Sequence, residues 1–86
     1  MRTILSIETT FPIGKAKLIF RLHETCHGPV LEREFVEANA AQTQILAINT
    51  LETLRKFMEA DPYYLQLNLK FDRIYQAAAT SLSLVG

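Results

Sequence analysis

The stretch "ANAAQTQILAINTLETLRKF", residues 38–57, decides the fold, because it reads as the start and body of a helix. At about 100° per residue, Ala47, Ile48, Leu51, Leu54 and Met58 gather on one side, and Leu46 and Phe57 widen that apolar arc. Gln42, Asn49, Glu52, Lys56 and Glu59 gather on the other. Asn39 is placed to cap the N-terminus by accepting a backbone N–H bond, and Pro62 in "ADPY" stops the helix near residue 60. One residue conflicts with this pattern. Gln44 projects between Ile48 and Leu51, inside the apolar arc, although its amide is polar and cannot ionise.

Outward from that helix, the chain alternates. Residues 3–10, "TILSIETT", are β-branched and apolar and read as a strand. Residues 15–24, "KAKLIFRLHE", set Ala16, Leu18, Phe20 and Leu22 against Lys17, Ile19, Arg21 and His23. Residues 30–37, "VLEREFVE", form a third strand, and "FPIGK" and "TCHGP" supply the turns between the three. Residues 63–71, "YYLQLNLKF", alternate again, with Leu65, Leu67, Leu69 and Phe71 facing away from Gln66, Asn68 and Lys70, which predicts a fourth strand. From Asp72 the chain reads as a short helix with Ile74, Ala78, Leu82 and Val85 to bury, and with the Asp72 carboxylate near the exposed N–H groups of its N-terminus. The expected order is β-β-β-α-β-α in a single domain, residues 1–86, of α+β or α/β class. Its four-stranded sheet is expected to be mixed and packed on helices, with strand four parallel to strand one across a right-handed crossover.

Composition narrows the function classes. The 9 basic and 9 acidic residues cancel, so the bulk attraction to phosphate that supplies most of a nucleic-acid binder's affinity is missing. Cys26 is the only cysteine, which precludes an internal disulfide and makes a reducing, cytoplasmic setting the expectation. No apolar run approaches the roughly 20 residues that span a bilayer, and the strand-like pattern follows directly on Met1, so neither a membrane partner nor a signal peptide is expected. "HETCH", residues 23–27, brings His23, Cys26 and His27 close in sequence. Three donors in one turn, with no partner pair elsewhere, fall short of a zinc site, and no third residue is evident to orient a Cys–His pair. The 3 glycines are isolated, so there is no phosphate-binding loop.

The expected order and three short motifs together resemble the ribonuclease H family. "ILSIETT" is similar to that family's first strand, with Glu8 where a metal-binding Asp is usual. "EANAAQTQILAINTLETLRKF" resembles the first helix, whose catalytic Glu falls at Gln44. "LNLKFDRIYQ" resembles the fourth strand and next helix, placing the family's acid at Asp72 and its aromatic at Tyr75. The resemblance covers nearly the whole chain but only the first part of the family fold. The fifth strand, and the fourth acid beyond it, have no counterpart in these 86 residues.

The resemblance implies cleavage of RNA in RNA–DNA hybrids by two Mg²⁺ ions about 4 Å apart. Mg²⁺ wants anionic oxygen, and Gln44 offers one neutral carbonyl oxygen beside an NH₂ group. Glu8 and Asp72 alone would hold Mg²⁺ weakly, so a degenerate, non-catalytic member is expected, without a cofactor. Simpler roles explain the same residues: Glu8 as a solvated charge, Asp72 as a helix cap, Gln44 bonded to a strand carbonyl. The favoured function is an interaction module that binds another macromolecule, of which a small phage-type inhibitor of a host defence system is one form. The expected contacts are Lys17, Arg21, Tyr63, Tyr64 and Lys70, with a protein partner or a homodimer docking on the strand-four edge. The alternative is a nucleic-acid binder or weak Mg²⁺-dependent ribonuclease H, which requires Lys15, Lys17, Arg21, Arg33 and Lys70 to converge.

Overall fold

In the computed structural model, which describes residues 1–85, the first three strands form close to where the sequence places them. They are β1 (Arg2–Phe11), β2 (Ala16–Thr25) and β3 (Gly28–Glu37). Period-two patterning gives each strand one apolar face. Ile7 of β1, Ala16, Leu18, Phe20 and Leu22 of β2, and Leu31 of β3 are buried together on the same side of the sheet. The β2–β3 turn is tight, with Thr25 opposite Gly28, and Gly28 adopts a φ of 112° that favours glycine.

Residues 38–47 correct the expected helix. Ala40–Ala47 is a fourth strand, β4, and the turn before it holds Ala38 and Asn39. Asn39 therefore caps no helix. β4 pairs antiparallel with β3 without a register shift, from Glu37↔Ala40 to Val30↔Ala47. The physical reason lies in the same letters: Gln42, Gln44 and Leu46 alternate with Ala41, Thr43 and Ile45, and the β-branched pair favours a pleated surface. The helix starts later, as α1 (Leu51–Glu59). Thr50 is its N-cap, extended at φ −140° and ψ 157°, and its hydroxyl accepts the Thr53 N–H at 3.2 Å.

Residues 63–71 are a second correction. They form a turn followed by the first turn of α2 (Asn68–Val85), not a strand. Leu67, Phe71, Ile74, Ala78 and Ser81 are buried at helical spacing, while Leu65 and Leu69, the other half of the alternation, are exposed. Asp72 thus lies beyond the first turn of α2 and does not cap it. Leu82 is half-buried, and the side chain of Val85, expected to bury, lies outside the described residues.

The architecture is α+β, with element order β-β-β-β-α-α and a four-stranded sheet in the order β1-β2-β3-β4. Every strand pair is antiparallel, so the sheet is not mixed and no parallel pairing of a fourth strand with the first is made. α2 packs across β1, β2 and β3, and against α1. Leu54 and Met58 of α1 and Phe71, Ile74 and Ala78 of α2 close the core over the sheet. Phe20 meets Phe71 edge-on at 5.2 Å. The opposite face of the sheet has the polar, partly accessible character of an uncovered antiparallel sheet.

Candidate interaction surface

Strand register places two different surfaces on the sheet. On the open face, Lys17, Ile19, Arg21 and His23 of β2 lie beside Glu8 of β1 and Val30, Glu32, Glu34 and Val36 of β3. Its charges are paired with one another. Lys17 meets Glu8 at 3.2 Å, and Arg21 Nη1 donates to Glu34 at 3.1 Å and to Glu32 at 3.3 Å. His23 lies between Glu32 and Thr3, with Nε2 and Nδ1 each 2.9 Å from an oxygen. A carboxylate only accepts, so the ring donates from Nε2 to Glu32, while Nδ1 bonds the Thr3 hydroxyl. Glu32 thus supplies the orienting residue that the sequence did not reveal. The ring it orients is 8% accessible, which fits a locked structural histidine rather than an approachable base. Cys26 and His27 stay exposed in the β2–β3 turn.

On the helix side, Arg33 shares a face with Leu31 and Phe35 and enters a well-shielded ion pair with Asp61. Nε donates to Asp61 Oδ2 at 2.6 Å, Nη2 to Oδ1 at 3.4 Å, and Nη1 to Gln44 Oε1 at 3.2 Å. Asp61 also accepts the Tyr63 N–H at 2.9 Å, fixing the chain between the helices. Sequence reasoning missed this pair; its signal is Arg33 standing in phase with Leu31 and Phe35 in "LEREF", since a charge on an apolar strand face needs a partner when it is buried.

The sequence-derived site residues are dispersed. Glu8 is on the open face of β1, Gln44 on the helix side of β4, and Asp72 exposed on α2. Two further strands separate Glu8 from Gln44, a distance of roughly 14 Å at the usual strand spacing before the change of face is counted. Among the described residues, no three His, Cys, Asp or Glu side chains group to hold a metal ion. Lys17 and Arg21 share the open face, whereas Tyr63 stacks on Phe35 and meets Phe11 at a tilt, Tyr64 stacks on Phe71, and Lys70 donates to Thr9, all on the helix side. Lys17, Arg21 and Arg33 therefore do not converge on one surface, and Arg33 is committed to Asp61.

The second surface is β4. Seven of its eight residues are exposed and Leu46 is half-buried, so the strand is accessible on both faces. Ile45 is 65% accessible. Its sequence, AAQTQILA, contains neither charge nor proline, and its outer edge has no neighbouring strand in the sheet. The edge expected at residues 63–71 is thus found at Ala40–Ala47 instead. Among the described residues, no helix is long and apolar enough to cross a membrane.

Comparison with family models, with curated proteins and with solved structures finds no match.

Proposed function

We propose that this chain is a non-catalytic interaction module whose partner is a protein, recognised through β4 and the adjoining open face. The supporting observation is β4 itself: an edge strand exposed on both faces, with neither the charges nor the proline that block strand addition. A protein segment in extended conformation satisfies the unpaired backbone groups of such an edge. Ile45, with Val30, Ile19 and Val36 further in, offers apolar contact beside it. Nucleic acid is the weaker fit, because Lys17 and Arg21 are already matched by Glu8, Glu32 and Glu34. The dispersal of Glu8, Gln44 and Asp72 supports the non-catalytic part. The proposal does not depend on the ribonuclease H resemblance, which the all-antiparallel order leaves resting on motifs alone. A cytoplasmic setting belongs to the same reading, since Cys26 is exposed and free.

A photo-reactive residue at position 45, compared with one at exposed Lys56, tests the reading in cells. Cross-linking from position 45 to a defined protein is expected. Cleavage of RNA–DNA hybrids with Mg²⁺ or Mn²⁺, or duplex binding that weakens steeply with salt, overturns it.

A further inference from the structure

We infer that the partner on β4 is a second copy of this chain, paired antiparallel about a two-fold axis at Gln44, so that the two sheets join into one. This inference rests on the interaction-module reading and names its occupant. Ile48 N–H donates to Pro29 O at 3.0 Å, continuing the β3–β4 ladder. Backbone groups alternate in direction along a strand. The even-numbered residues of β4 therefore turn their backbone groups to β3, and Ala41, Thr43, Ile45 and Ala47 turn theirs outward.

A two-fold axis at Gln44 brings Ala41 opposite the partner's Ala47 and Thr43 opposite the partner's Ile45. Every outward N–H and C=O of these residues then meets its complement, and the strand is used along its whole outward length. Gln44 faces the partner's Gln44. Its Oε1 already accepts from Arg33, which leaves the amide NH₂ to donate across the axis. The same register keeps the two open faces on one side and the helices on the other.

Three observations suit a second copy at this edge, together with the self-complementary register. β4 has no charge with which to select a charged partner, so self-pairing opposes no like charges along the strand. The chain's formal net charge is zero, so two copies approach without bulk repulsion. α2 packs over β1, β2 and β3, leaving β4 projecting with both faces accessible. An incoming β4 therefore meets strand rather than helix.

Sedimentation equilibrium of the full chain is expected to show a monomer–dimer equilibrium. Thr43→Pro removes an outward N–H and no bond to β3; it is expected to shift the chain to monomer with unchanged circular dichroism. Ile45→Lys, a guard on an already exposed side chain, gives the same shift if the proline variant fails to fold. In a Cys26→Ser background, Gln44→Cys is expected to give a disulfide-linked dimer on mild oxidation. The residue opposes its own copy at a non-hydrogen-bonded position, where Cα atoms are about 4.5 Å apart, within disulfide reach. Gln42→Cys is expected to cross-link far less, because it faces the partner's Leu46. A wild-type monomer across the concentration series, or a dimer that both guard variants retain, overturns the inference. Preferential cross-linking through Gln42→Cys overturns the axis. A monomer whose position-45 probe captures a different protein overturns the second-copy occupant and spares the interaction module; a monomer that captures nothing overturns both.

Discussion

Along one edge of the sheet, β1 carries a bulge between Thr3 and Leu5, charges at Arg2 and Glu8, and α2 packed against its inner face. Along the other edge, β4 carries no bulge in its pairing, no charge, and little cover on either side. Bulges and charges are the ordinary means by which a sheet edge refuses further strands. The difference shows that this chain protects one edge and leaves the other available. The ties to the helices differ in the same sense. β1 contributes buried Ile7 to the core and receives Lys70 at Thr9, whereas β4 sets only half-buried Leu46 against the core's edge and is held from the helix side by Arg33 donating to Gln44.

The Arg33 tie gives the largest expected effect. Arg33→Ala removes the partner of Asp61, whose side chain is 2% accessible, and frees Gln44 as well. Leaving a buried carboxylate unpaired typically costs about 3–5 kcal/mol, which a urea unfolding midpoint reads directly. The double replacement Arg33→Met with Asp61→Leu is expected to lose much less, because neither charge is then stranded. A cost for Arg33→Ala no larger than that of an exposed edge residue breaks the account of how β4 is anchored.

The second test sets the two edges side by side. Ile7→Ala on β1 deletes core side chain and is expected to cost about 2–4 kcal/mol. Gln42→Ala, on the helix side of β4, is exposed and is expected to stay within about 0.5 kcal/mol of wild type. Comparable losses at the two positions mean that β4 is packed as β1 is, and remove the contrast between the edges.

How far the sequence disclosed this arrangement depends on which periodicity stood alone. β2 and β3 were legible from their alternation, β1 from its β-branched and apolar residues, and the turns between them from Pro12, Gly14, Gly28 and Pro29. Residues 39–60 fit a helical period only by tolerating Gln44 in the apolar arc, and that misfit marked the strand. With β4 as a strand, Gln44 simply shares a face with Gln42 and Leu46. Residues 63–71 satisfy both periods at once, since Leu67 and Phe71 belong to each. Length arbitrates there: the helical pattern continues through Ile74, Ala78 and Ser81, and the alternation stops. Of the candidate surface, Lys17 and Arg21 were readable as neighbours on one strand face. Their acids on β1 and β3 required the register, and the exposure of β4 required knowing which strands the helices cover.

The β3–β4 turn offers a smaller test. Ala38 is held at a φ of 52°, a conformation that disfavours side chains bearing Cβ, where the β2–β3 turn uses Gly28 at 112°. Ala38→Gly relieves that strain, while the freer unfolded chain offsets part of the gain. The net expectation is a stabilisation of about 0.5 kcal/mol, visible as a raised urea midpoint. A loss on substitution means that the turn carries no strain and that β4 is set in register by its ladder alone.

The smallest effect concerns where charge goes when it is kept off β4. Next to that uncharged strand in sequence, α1 places Arg55 between Glu52 and Glu59 on an exposed surface, Arg55 Nη1 lying 2.9 Å from Glu59 Oε2 and Nη2 bonding Glu52. The hydrogen bond from Arg55 holds the Glu52 carboxyl below its ordinary value of 4.5. A lowered folded value means that ionised Glu52 stabilises the fold above the unfolded value, and that this contribution is lost as pH falls through the folded one. Glu52→Gln is therefore expected to unfold at a slightly lower temperature than wild type at neutral pH, with the gap constant down to about 4.5 and closing below it. Both side chains are solvated, so the gap is small and narrows with added salt. A gap that persists in strong acid means that Glu52 contributes through packing rather than charge, and that α1 does not carry the electrostatic role that β4 lacks.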